Sequence, residues 1–189
     1  VLLVVLDPAM LELAAERRAL RAAAERAGVR VVPGAETLLA NLSDAYDAAH
    51  SLGFPVAVAA AGVSAGAMDE EELGDAWARV RERVPEGGLR LERPLPRARR
   101  VRILLAGDAS GELHPRVDRE ASVIADSHVL LEECPSPELF FRADGEALRE
   151  MLFDASLRLA REVTTAGLLS VDFLIDEEGR GWLDAVQLG

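Results

Sequence analysis

SVDFLIDEEGRGWLDAVQLG, residues 170–189, sets two apolar runs around an acidic turn, and each run carries one aspartate, Asp172 or Asp184. A three-residue loop with glycine at its left-handed position is a common hairpin connection, and Glu177-Glu178-Gly179 between Asp176 and Arg180 has that form. Pairing Asp176 with Arg180 predicts Leu174 opposite Trp182 and Asp172 opposite Asp184. Side chains alternate along a strand, so both carboxylates take one face while Phe173, Ile175 and Leu183 take the other and enter the core. Like charges facing each other across a ladder repel, so a cation, a basic neighbour or a shared proton is expected between them. Hard divalent ions such as magnesium take oxygen ligands, often one or two carboxylates together with phosphate oxygens. The alternative is a wet sheet edge with an arginine nearby.

The chain of 189 residues is half apolar, which suits one sizeable core or two small lobes. A formal charge of -12 argues against a nucleic-acid partner, which needs clustered positive charge. No apolar run reaches the length of a membrane span and no signal-peptide pattern opens the sequence, so no membrane association is expected. The single Cys134 excludes an internal disulfide and suits a reducing, cytoplasmic setting. All 21 basic residues are arginine, which removes any lysine as a Schiff base or point-charge phosphate ligand. A first residue of Val rather than Met, and a last strand that stops almost at the terminus, read as a piece of something longer.

Along the chain, VLLVVL reads as a buried strand, and Asp7-Pro8 as the start of a helix from about Ala9 to Ala27, closed by Gly28. A second helix is expected over Thr37–Leu52, then a strand FPVAVAAAG leading into the loop GVSAGAM, then an amphipathic helix over 69–84 burying Leu73, Trp77, Val80 and Val84. Short strands follow in LRLERPL, VRILLAG, ELHPRV (after a turn at Asp108–Gly111) and SHVLLEECP. A long helix from about Ala143 to Ala166 places Leu148, Met151, Leu152, Ala155, Leu159 and Val163 at helical spacing, and the terminal hairpin closes the chain. Strands crowd the second half with helices interspersed, which predicts an α+β fold with mainly antiparallel sheets. The crowded Arg97, Arg99, Arg100 and Arg102 read as a solvated strand edge, with an anion site as the alternative. His50 is placed to meet helix C-terminal carbonyls, His114 reads as structural, and Trp77 and Trp182 as packing residues.

Three stretches in this order resemble the ATP-grasp portion of biotin carboxylases: RRALRAAAERAGVRVVPGAE, FPVAVAAAGVSAGAM, and LHPRVDREASV followed by LLEECPSPEL. The terminal hairpin falls where that family has its GTVEFLFD and FYFLEMN strands. The resemblance implies an ATP-grasp-type two-lobe fold. Residues 1–31 would form a lead-in strand and linker helix, 32–90 a small lid lobe with a glycine loop, and 91–189 a larger lobe with the hairpin. It also implies ATP and magnesium as cofactors. Asp172 and Asp184 match the two glutamates that hold magnesium in the family; Arg17, Gly62, Ser64 and Gly66 match phosphate-binding positions; Glu92, Arg93 and Leu95 match a hinge segment that cradles adenine.

The departures from the family pattern carry as much weight. Val186 stands where the family has a metal-binding asparagine, both acids are Asp and so shorter by a methylene, and Ala59 replaces a phosphate-binding lysine. The glycine loop is diluted to Gly62–Ala67, and of a basic run matching Ile124–Val129 only His128 is left. Phosphoryl transfer depends on positioning and on positive charge around the transferred group, so these losses imply a degraded site with no catalytic residue assigned. The expectation is a structural or partner-binding module, with carboxylase subunits or a second copy as partners. The alternative is an active ATP-dependent carboxylase or carboxylate ligase in which arginine replaces lysine.

Overall fold

The computed structural model describes residues 17–35, 37–60, 63–108, 112–125, 128–163 and 167–188. The expected first strand, the Asp7-Pro8 helix start and the turn tip at 109–111 lie outside them. The chain divides into two compact units. One comprises the chain up to Val31, Arg97–Ile124 and the residues from Val129 on; the other comprises Val32–Pro96 with Ala125–His128.

The smaller unit is built on a three-stranded sheet. Strand β1 (Val56–Ala60) pairs antiparallel with β2 (Val63–Ala67) on one side and with β3 (Arg90–Glu92) on the other. Helix α2 (Leu42–Leu52) starts later than expected, because the Asn41 side chain accepts from the Asp44 N–H and fixes the N-terminus there. The residues before it run extended, and Leu39 exchanges backbone hydrogen bonds with Leu89. Helix α3 (Glu70–Arg83) is capped in the same way by Asp69 and buries Leu73, Ala76, Trp77 and Val80 against Val56, Val58 and Leu91. Gly34 runs so close to β3 that an added Cβ would lie 2.7 Å from the Leu91 carbonyl oxygen, so no larger residue fits this crossing.

The larger unit carries a five-stranded sheet in the order β6-β5-β4-β7-β8, with β4 (Arg99–Gly107) at its centre, β5 (Leu113–Ala125) and β6 (His128–Glu133) on one side, and β7 (Gly167–Ile175) and β8 (Gly181–Leu188) on the other. The resolved ladders of β4 with β5 and β7, and of β7 with β8, are antiparallel. Helices α1 (Arg17–Arg26) and α5 (Gly145–Val163) cover one face, where Leu20, Ala23, Leu148, Leu152 and Leu159 meet Val101, Ile103, Val171, Phe173 and Leu183. Met151, expected on the buried stripe, is 41% exposed, at the margin of the helix contact. A short helix, α4 (Pro137–Phe141), was not expected; Ser136 precedes it, and its buried N–H and hydroxyl donate to Asp118 and Glu120. The α+β architecture with antiparallel sheets is as the sequence indicates.

Three further local expectations change. Residues 63–67 form a strand of a hairpin rather than a loop, with Ser64 opposite Ala59 and Gly66 opposite Ala57. Of the arginine-rich run, Arg99, Arg100 and Arg102 lie on the central strand, not at a sheet edge. The third change is the register of the terminal hairpin.

Candidate functional site

The hairpin loop forms as the residue pattern predicts. Asp176 N–H donates to the Arg180 carbonyl at 3.1 Å, Gly179 N–H returns to the Asp176 carbonyl at 3.0 Å, and Gly179 takes φ 77°, which glycine adopts without strain. The Asp176 side chain pins the turn by accepting from the Arg180 N–H at 2.8 Å, the Arg180 Nε at 2.7 Å and the Trp182 indole at 2.9 Å. Burial pushes this carboxyl upward, but the indole and the Arg180 donors outweigh it and hold the group below the ordinary aspartate range.

Leu174 faces Trp182 as expected, yet Asp172 faces Ala185, because a bulge beyond Phe173 inserts Asp184 as an extra residue of β8. A bulge re-aims a side chain, and here both aspartates still reach one guanidinium. Arg100 NH1 lies 3.2 Å from Asp172 Oδ2, and its NH2 lies 2.7 Å from Asp184 Oδ2. Arg102, directly opposite Asp172 in the β4–β7 ladder, donates to both of its oxygens, Nε to Oδ1 at 2.7 Å and NH2 to Oδ2 at 2.9 Å. Such forked, charge-assisted pairs are the strong class of side-chain hydrogen bond. Asp172 is fully buried, and Asp184 keeps 19% of its side chain exposed. The hydrogen bond to Asp172 is the main reason the Arg102 guanidinium holds its proton still more firmly than a free arginine.

The charges continue across the sheet. Arg102 NH1 also donates to Glu132 at 2.7 Å, and Glu132 takes a second guanidinium from Arg119 at 2.8 Å. From β8 across to β6 the face therefore alternates Asp184, Arg100, Asp172, Arg102, Glu132, Arg119, three acids against three bases. Sequence reasoning placed the aspartates on one face but not their partners. The available signal was Arg100 and Arg102 at strand spacing i, i+2.

These residues do not fit a magnesium site. Both Asp172 oxygens accept from arginine, Asp184 is paired with Arg100, and Val186 stands opposite Val171 in the apolar core. Among the described residues no group of three or more His, Cys, Asp or Glu side chains is gathered to hold a metal. A hard divalent ion needs a shell of oxygens, and this pair is filled by nitrogen donors instead.

Apart from Arg17, the expected nucleotide contacts fall in the smaller unit. Gly62 lies outside the described residues; Arg17 opens α1, and its side chain, like that of His128, is outside them too. Ser64 and Gly66 sit exposed on β2, the outer strand of their sheet. Arg93 donates its NH2 to the Leu52 carbonyl at 2.5 Å, and its backbone N–H donates to Pro33; Glu92 closes on Gly34 and Arg90, and Leu95 is half-buried. These contacts fasten β3 to the segment Val32–Gly34 and to the end of α2. His50 Nδ1 donates to the Tyr46 carbonyl at 2.8 Å, the helix-end contact expected of it.

Residues 16–183 match the family model described as the carbamoyl-phosphate synthase L chain, ATP-binding domain. A putative urea carboxylase of Emericella nidulans is 29% identical over 181 residues, and a biotin carboxylase of Halalkalibacterium halodurans 28% identical over 181 residues; each match covers 91% of this chain. The chain spans only 14% of the first protein and 39% of the second. In fold it resembles a biotin carboxylase from Campylobacter jejuni solved as a β-γ-ATP complex, with a TM-score of 0.81 and 21% identity, over 95% of this chain and 41% of that one. No described helix is long and apolar enough to cross a membrane.

Proposed function

The chain belongs to the family of the carbamoyl-phosphate synthase L chain, ATP-binding domain, as an ATP-grasp domain of biotin carboxylase type, and from that premise we propose that it has given up magnesium-dependent phosphoryl transfer and serves as a structural or partner-binding module. The observation that carries this reading is the occupation of Asp172 and Asp184 by Arg100 and Arg102. Transfer of a phosphoryl group relies on a metal and on fixed positive charge around the group in flight. Here the carboxylates suited to the metal are engaged, and the cationic groups beside them are spent on those carboxylates. The absence of lysine from this chain agrees with it. Partners of such a module would be carboxylase subunits or another copy of the chain.

The test is ADP release from ATP by the protein as the cell makes it, with and without magnesium. The reading expects no magnesium-dependent release. Release that falls about a hundredfold or more in Asp172→Ala and Asp184→Ala would overturn it, and would favour an active ligase that works with arginine in place of lysine.

A further inference from the structure

We propose that the edge strand β6 is a docking surface for the same strand of a second copy of this chain, joining two five-stranded sheets across a two-fold axis. The inference rests on the partner-binding reading above and gives it a surface and a partner.

The two edges of the five-stranded sheet differ. β8 is covered on its outer side, where the Leu183 N–H donates to the Arg30 carbonyl at 2.7 Å and Val31 forms a parallel bridge with Leu183. β6 ends the sheet on the other side, and among the described residues no strand or bridge pairs with its outer edge. An uncovered edge offers a row of backbone donors and acceptors, and proteins usually guard it with charge or proline. The middle of β6, Val129-Leu130-Leu131, has neither. Leu130 and Leu131 are 65% and 52% exposed, and because side chains alternate along a strand, one projects on each face. Apolar surface therefore wraps both sides of the edge, as the addition of a further strand requires.

The register selects the occupant. Two copies related by a two-fold axis normal to the sheet run antiparallel with their faces aligned, so a residue meets only residues of its own parity. With the axis at Leu130, Leu130 meets itself, Val129 meets Leu131, and Glu132 falls at the position opposite His128. Apolar residues then meet apolar residues, and the acid stands across from a residue that can carry positive charge. With the axis at Leu131, Leu130 would face Glu132 and Val129 would face Glu133; at Glu132, two acids would oppose each other; at Val129, Leu130 would face His128. The strand is thus complementary to itself in one register, the condition for an isologous contact. It is also held ready: Glu132 is fixed by Arg102 at 2.7 Å and Arg119 at 2.8 Å, so little ordering is needed on association.

The experiment is sedimentation equilibrium of the protein as the cell makes it, for wild type, Leu130→Arg and Phe141→Arg. Wild type should reach twice the mass of one chain with a Kd of about 10⁻⁵ M, as a small interface gives. Leu130→Arg sets like charges opposite each other at the axis and should weaken association about a hundredfold or more. Phe141→Arg, at an 81% exposed residue of α4, should leave it unchanged. A second measurement reads the register directly. In a Cys134→Ser background, oxidised Leu130→Cys should form a disulfide-linked pair, while Leu131→Cys, which falls opposite Val129, should not. Wild type that stays monomeric at roughly ten times that Kd would overturn the inference, as would a pair that survives Leu130→Arg or links through Leu131→Cys instead. ADP release reports separately on the functional reading, so a monomer without magnesium-dependent release would sink this inference alone.

Discussion

The two faces of the five-stranded sheet are made by the same strands and are held by opposite means. On the covered face, Val101, Ile103, Val171, Phe173 and Ile175 lie against α1 and α5, and the contact is non-directional: any apolar side chain of fitting volume serves. On the other face, six charged groups from β4 to β8 answer one another in sequence, and each works only if its neighbour stands in register. The first face tolerates error, while the second is specific and is costly to break.

Breaking the apolar face should have the largest effect. Phe173→Ala empties a site that is 1% exposed, and urea denaturation should show a loss of about 3–5 kcal/mol. Breaking the charged face at its centre comes next: Asp172→Ala leaves Arg102 and Arg100 without their shared acid, a loss of about 3 kcal/mol by the same measurement. A value near zero would show that the ladder adds nothing to stability.

The hairpin turn gives a smaller, pH-dependent effect. Because the Asp176 carboxyl is held below its ordinary range, its stabilisation is complete above the unfolded value, near pH 4, and is lost as pH falls through the lower folded value. Wild type and Asp176→Asn should therefore differ most at neutral pH and converge in acid; a constant gap from pH 7 to 2 would contradict the assignment. The smallest effect is at the rim, where Arg97 and Glu177 pair at 2.8 Å with side chains 81% and 55% exposed. Arg97→Ala should change stability by under about 0.5 kcal/mol, and added salt should remove even that.

The same contrast explains what could be read from residues alone. Phe173, Ile175 and Leu183 declare their face by alternation, and Gly179 declares its turn, because both signals are local. The bulge at Asp184 leaves no such mark, since one extra residue in a strand looks like any other. Nor is the counter-ion legible: Arg102 lies 70 residues before Asp172, and only the β4–β7 register brings them together. In the smaller unit, Val63–Ala67 reads as a loop because Gly, Ser and Ala have weak strand preference, and pairing with β1 overrides it. The resemblance to biotin carboxylases carried the fold, which the family match and the structural likeness bear out. The contents of the site had to come from geometry.

The most direct test is thermal unfolding of the purified protein in millimolar ATP and magnesium, singly and together. A ligand at a hundred times its Kd adds about 2.7 kcal/mol, a clear rise in Tm. With Asp172 and Asp184 closed by arginine, the two ligands together should raise Tm no more than ATP alone. A further rise that requires magnesium and vanishes in Asp172→Ala would show that the carboxylates still hold a metal, and would contradict the account.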